Sequence, residues 1–183
     1  MKLELSRQML ERCQKGDRAA QHALYMAYSA RMFSVCLRYF PSYDIAQDIL
    51  QDGFIKVFDN FKTFKFNGSV EGWIRRIIVN TALEYHRKNA AANHVDISDV
   101  KNHSCVNIDC QTDYHFLLSL VTELPDQYRL VFNLYAIEGY SHAEIAEMLS
   151  ITESTSKSNY SRAKGILRKK LEQLKEVEPY VTL

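Results

Sequence analysis

The side chains best suited to recognise another molecule lie in a basic run near the C-terminal end. Ser156, Lys157, Ser158, Asn159 and Arg162 bring hydroxyl, amide, ammonium and guanidinium groups into one short stretch. Asn suits adenine and Lys or Arg suits guanine when a helix enters the major groove. Between 154 and 171 the cations are Lys157, Arg162, Lys164, Arg168, Lys169 and Lys170, with no carboxylate among them. A solvated amphipathic surface helix would show the same cations, so charge alone does not decide. Bond-making chemistry has weaker support. The chain has no phosphate-binding glycine loop, no HExxH pair and no nucleophile beside a base, and its histidines are scattered, so a helical enzyme is disfavoured.

The elements around this run separate the readings. Gly139 sits where a helix over 125–138 must stop, because glycine takes the left-handed conformation that closes a helix. In SHAEIAEMLSIT (141–152), Ser141 and Glu144 have capping-box spacing. Ile145, Ala146 and Leu149 make one apolar face, with Ala146 small enough for a close helix crossing. Ile151 lies in a turn and Thr152 offers an N-cap for the next helix. Ile166, Leu167, Leu171 and Leu174 keep an apolar stripe at helical spacing along that helix. The order of cap, small residue, turn and cations is that of a helix-turn-helix, whose second helix presents its early residues to base edges. Ser156, Lys157, Ser158, Asn159 and Arg162 are therefore expected at the groove.

Composition sets the frame. The chain has 183 residues, 46% hydrophobic and 25% charged, with a net charge of only +1, so it is no general polycation. No apolar run is long enough to span a bilayer, and the start of the sequence shows no secretory pattern; a cytoplasmic location is expected. Of the four cysteines, Cys105 and Cys110 lie near His103 and His115, but their spacing is not that of a CxxC pair. Free thiols and no metal site are expected.

Strand signals are scarce. The periodicity predicts two helices within 4–37, parted near Gly16 with Asp17 as a cap, then helices over 43–58 and 69–89. Residues 93–113 are rich in Asn, Asp, Ser and Thr and read as a tether. Helices resume over 114–123, 125–138, 141–149 and 153–175. The expected fold is all-α: two small helical domains, 1–91 and 113–175, joined by a flexible linker at 92–112 and followed by an acidic tail at 176–183.

The first domain carries two further patterns. Asp44, Asp48, Gln51 and Asp52 fall at three- and four-residue intervals and form an acidic stripe; a solvated face or a surface for a basic partner would both need it. Before the helix over 69–89, Phe61, Phe64 and Phe66 alternate with Lys62, Lys65 and Asn67. Rings can stack on unpaired bases while cations follow the phosphates, although such aromatics also serve as core plugs. Trp73 fits either purpose. Ile74, Ile77, Ile78, Ala82 and Tyr85 mark the buried face of the helix, and Arg76, Asn80, Arg87 and Lys88 lie along more exposed positions.

Taken together, DIAQDILQDGF (44–54) followed by GWIRRIIVNTA (72–82) resembles domain two of bacterial RNA polymerase sigma factors. LPDQYR (124–129) through RAK (162–164) resembles domain four. Lacking the intermediate third domain, the layout is similar to the extracytoplasmic-function (ECF) group of the sigma-70 family. The resemblance implies a non-enzymatic initiation subunit without cofactor, metal or small-molecule substrate. Asp44, Asp48, Gln51, Asp52 and Phe54 would dock on the clamp helices of the polymerase beta-prime subunit, and the last domain on the beta flap. Lys65, Asn67, Trp73, Arg76, Asn80 and Arg87 would hold the melted minus-ten element of promoter DNA. The helix with Ser156, Lys157, Ser158, Asn159 and Arg162 would read the minus-thirty-five element. An anti-sigma factor is implied as a further partner. Three departures stand out: Ser150 occupies a turn position where the family often has glycine, Ser156 replaces a common valine, and Asn159 and Ser161 are poorer in charge than in many members. The rival reading is a helix-turn-helix regulator that binds duplex DNA without polymerase.

Overall fold

The computed structural model describes residues 6–92 and 113–177, and every regular element among them is helical. The chain divides into two compact units between Cys105 and Val106. The expected tether lies outside the described residues beyond Ala92, together with His103, Cys105, Cys110 and the last part of the tail.

Unit 1 holds α1 (Arg7–Gln14), α2 (Arg18–Tyr39), α3 (Tyr43–Asn60) and α4 (Val70–Ala92). The break between α1 and α2 falls where the sequence places it. Gly16 takes φ +80, and the Asp17 carboxylate accepts from the Ala19 and Ala20 amides at 2.9 and 3.2 Å. The core gathers Leu24, Tyr28 and Met32 from α2, Ile49, Phe54 and Val57 from α3, and Ile74, Ile78 and Ala82 from α4. Fully burying a side chain of this size contributes about 1.5–3 kcal/mol. Gly53 lets α3 lie close to α4: a Cβ there would stand 2.4 Å from Ile78 Cδ1. Arg31 with Glu71 at 2.9 Å, and Lys56 with Glu84 at 2.6 Å, tie α4 to α2 and α3. Both pairs are partly exposed, so each contributes only about 0–1 kcal/mol.

Unit 2 holds α5 (Asp113–Thr122), α6 (Asp126–Phe132), α7 (His142–Leu149) and α8 (Glu153–Val177). Arg129 is buried and closes the turn between α5 and α6. Its guanidinium donates to the Leu124 carbonyl at 2.7 Å and the Thr122 carbonyl at 3.2 Å, and to Asp126 at 2.5 Å. The Thr122 carbonyl belongs to the end of α5, which has no intrahelical donor left, and Leu124 lies in the turn that follows. The expected helix over 125–138 is present with one change: its last part, Asn133–Ile137, widens into a π turn. Gly139 then takes φ +81 and ends it. No helix among the described residues is long and apolar enough to cross a membrane.

Candidate nucleic-acid interface

In unit 2, Ser141 Oγ accepts from the Glu144 amide at 3.3 Å while the Glu144 carboxylate accepts from the Ser141 amide at 2.8 Å. The Ser141 amide and the Ser141 hydroxyl, at 2.7 Å, both donate to the Glu144 carboxylate and hold that carboxyl below its ordinary range, the backbone bond acting most strongly. The turn after α7 passes through Ser150 at φ +55, ψ +43, and the Ile151 amide returns to the Ala146 carbonyl at 3.0 Å. Glycine takes that conformation freely; for serine it costs about 1–2 kcal/mol. Thr152 Oγ1 then accepts from the Thr155 amide at 3.0 Å and starts α8. The helix-turn-helix is complete.

Along α8 the five residues expected at the groove part into two sets. Lys157, Ser158 and Arg162 are exposed. Ser156 is 0% exposed and Asn159 only 8%. The reason is helical phase: positions 156, 159 and 163 share one face, and Ala163 on that face is fully buried. Ser156 and Asn159 therefore belong to the packing face, which corrects their expected placement. Ser156 Oγ shares a hydrogen bond with His142 Nδ1 at 2.9 Å. The His142 ring stacks on Tyr135 with centroids 4.2 Å apart, and Tyr160 meets Tyr135 at 4.5 Å. This aromatic group has no counterpart in the sequence-based expectation. The three-and-four spacing of 156, 159 and 163 was the signal available for the buried face. Lys157 pairs with Glu153 at 2.6 Å, and that bond lowers the Glu153 carboxyl from its ordinary value. Arg162 donates to Tyr128 Oη at 3.2 Å, Lys164 stands 4.8 Å from the Tyr160 ring centroid, and Lys170 pairs with Glu123.

In unit 1 the aromatic loop 61–68 is half structural. Phe61 and Phe64 are buried. Trp73 packs on both, with centroids 5.4 Å from each, so it is half-buried at the foot of α4. Phe66 is held at φ +56, an uncommon conformation for a bulky residue. Lys62, Lys65 and Asn67 are exposed around it. Arg76, Asn80 and Arg87 are exposed on α4 at spacings that put them on the face of Trp73. Loop cations, one half-buried ring and a polar helix face thus adjoin along the chain.

Asp44, Asp48, Gln51 and Asp52 are all exposed on α3. Phe54 is not: it is 2% exposed and meets Tyr25 edge-on at 4.8 Å, so it supports the acidic face from beneath instead of facing a partner. Ile55, 58% exposed, stands at helical spacing from Asp48, Gln51 and Asp52, an apolar member of that face the sequence reading passed over. The buried thiols are unreactive in character, Cys36 being pushed up to about 12 by burial. No cluster of His, Cys, Asp and Glu among the described residues could hold a metal ion.

Comparison with known proteins matches both units. Residues 24–92 match sigma-70 region 2 and residues 117–176 match sigma-70 region 4. The chain is 28% identical over 180 residues to the ECF RNA polymerase sigma-E factor of Escherichia coli K12, covering 91% of this chain and 94% of the relative. It is 27% identical over 179 residues to the ECF sigma factor SigW of Bacillus subtilis, covering 90% and 96%. Among solved structures, RpoE of Bartonella quintana, in complex with the anti-sigma factor NepR, aligns at TM-score 0.51 and 20% identity over 82% of this chain and 96% of that one. CnrH, in complex with the cytosolic domain of CnrY, aligns at TM-score 0.50 and 19% identity over 91% and 97%. These two likenesses show the fold. With both of its units matched to sigma-70 regions and its full-length relatives named ECF sigma factors, the chain belongs to the extracytoplasmic-function group of the sigma-70 family.

Proposed function

We infer that this chain is a promoter-specificity subunit: it binds core RNA polymerase and directs transcription initiation at promoters carrying two recognition elements. The observation that carries this reading is the pairing, in one chain, of a sigma-70 region 2 with a cationic aromatic loop and a sigma-70 region 4 with a helix-turn-helix. Asp44, Asp48, Gln51 and Asp52, joined by Ile55, would meet the clamp helices of the core, and unit 2 the beta flap. Lys65, Asn67, Arg76, Asn80 and Arg87 would hold the separated minus-ten strand, with Trp73 bracing the loop. Lys157, Ser158 and Arg162 would enter the minus-thirty-five major groove, while Ser156 and Asn159 fix the helix that carries them.

The chain's own contribution is binding without bond chemistry, so no cofactor or small-molecule substrate enters the reading. Strand opening follows if unit 1 binds unpaired bases more tightly than stacked ones, because only that difference moves the equilibrium. The work is done beside the polymerase, in the cytoplasm. The solved complexes of RpoE with NepR and of CnrH with CnrY motivate a regulatory anti-sigma partner here too.

The test is reconstitution. Core polymerase plus this chain should bind a forked minus-ten template more tightly than the matching duplex. Asn80→Ala should impair opening while leaving polymerase assembly intact. A chain that binds a duplex operator tightly but forms no holoenzyme would show the regulator reading to be right instead.

A further inference from the structure

The match to sigma-70 region 2 begins at residue 24, so α1 lies ahead of it. Yet α1 holds the loop on which strand capture rests. Gln14, the last residue of α1, donates from Nε2 to the Phe64 carbonyl at 2.8 Å and to the Phe61 carbonyl at 3.3 Å. Both bonds are partly buried and span 50 and 47 residues of sequence. The same carbonyl of Phe61 accepts from the Phe64 amide at 3.1 Å, so one amide group of α1 locks both ends of the tight turn that opens the loop. From the other end of α1, the Arg7 guanidinium lies 5.3 Å from the centroid of the Phe66 ring. Phe66 is the loop residue forced to φ +56, and its ring also meets Phe64 at 5.2 Å. Backbone held in so sparsely populated a region persists only where surrounding contacts over-determine it. Leu10 and Cys13, buried on the intervening turns, anchor α1 in place.

We propose that Gln14 is a positioning residue for minus-ten strand capture: by fixing the carbonyls of Phe61 and Phe64 it sets the loop shape that presents Lys65, Phe66 and Asn67 to an unpaired base. The inference rests on the strand-capture reading above. Gln14 does not touch DNA; it removes alternative loop shapes that would have to be frozen out on binding. Preorganisation of this kind raises affinity by lowering the ordering cost of the complex. The loss should therefore appear in binding of the opened strand and be absent from the contacts made by unit 2.

Gln14→Met keeps the side-chain length and removes both donors, and Gln14→Lys restores a donor at similar reach. In reconstituted holoenzyme, Gln14→Met should weaken binding to a forked minus-ten template about tenfold, the scale expected when two modest hydrogen bonds are lost. Opening of a promoter carrying 2-aminopurine in the minus-ten element should fall in parallel. Binding to minus-thirty-five duplex and assembly with core polymerase should match wild type, and Gln14→Lys should recover most of the fork affinity. If Gln14→Met equals a wild type that prefers forked template, the positioning role is overturned while strand capture stands. Equal loss of fork and duplex binding without recovery by Gln14→Lys would reduce Gln14 to a structural residue. A wild-type holoenzyme indifferent to fork and duplex would overturn strand capture itself, and the role of Gln14 with it.

Discussion

Ser156 and His142 join the two helices of the helix-turn-helix, α8 and α7, through one hydrogen bond of 2.9 Å. Replacing Ser156 with Val, the residue common in the family at that position, removes the hydroxyl and leaves His142 Nδ1 without that partner. The expected cost is about 1 kcal/mol of unit 2 stability, read by urea unfolding, with base preference at the minus-thirty-five element unchanged. Arg162→Ala should behave oppositely. Stability stays near wild type, duplex binding weakens, and the slope of log affinity against log salt becomes shallower by about one. A Ser156→Val protein with normal stability and an altered base preference would put Ser156 back at the groove. Residue types marked out α8 as the second helix of a helix-turn-helix, and Lys157 and Arg162 are exposed on it as the pattern requires. Which hydroxyl and amide turn inward depends on helical phase against α6 and α7; the spacing of 156, 159 and 163 carried that phase only weakly, because small Ala163 is the one apolar residue of the three. Phe54 failed for the reverse reason: an apolar residue beside an acidic stripe can serve partner or core, and only the Tyr25 contact decides.

Among the elements, those boundaries that rest on local chemistry were legible. Asp17, Ser141 with Glu144, Thr152 and Gly139 all occupy the caps and turns that the sequence assigns them. The π turn at Asn133–Ile137 was not, because it accompanies the stacking of Tyr135 on His142 and its tilted contact with Tyr160, both from other elements. The caps also give the fold an acid sensitivity. Asp17 is lowered from its ordinary value, by the Arg12 side chain first and by the Ala20 amide next. Glu144 and Glu153 are lowered by their own bonds. A carboxyl lowered in the folded state stabilises it above its unfolded value, and that gain disappears as pH falls through the folded value. Wild type should therefore lose stability below about pH 4. Asp17→Asn keeps a good N-cap but carries no ionisable group. Its stability deficit at pH 7, measured by urea unfolding, should shrink at pH 3. An equal deficit at both would mean that Asp17 acts through hydrogen bonding alone.

For the whole molecule, the division into two helical units was readable because the sequence changes abruptly from apolar residues at helical spacing to a stretch rich in Asn, Asp, Ser and Thr. The identity of the two bodies needed ordered motifs, since helical periodicity alone fits many partners. If recognition is split between two bodies as proposed, a chain of net charge +1 has to gain affinity from joint occupancy instead of bulk charge. Once one body is bound, the other searches at a high local concentration, and avidity can exceed either single affinity by about 10²–10⁴. Holoenzyme should thus bind a promoter with both elements far more tightly than one with either element alone. Cations on each body displace counterions, so the two-element promoter should also show a steeper fall of affinity with salt than either single-element promoter. Filter binding across a salt series measures both quantities at once. If the two-element promoter is bound no better than the stronger single element, at any salt, the units do not act together on DNA, and recognition resides in one body alone.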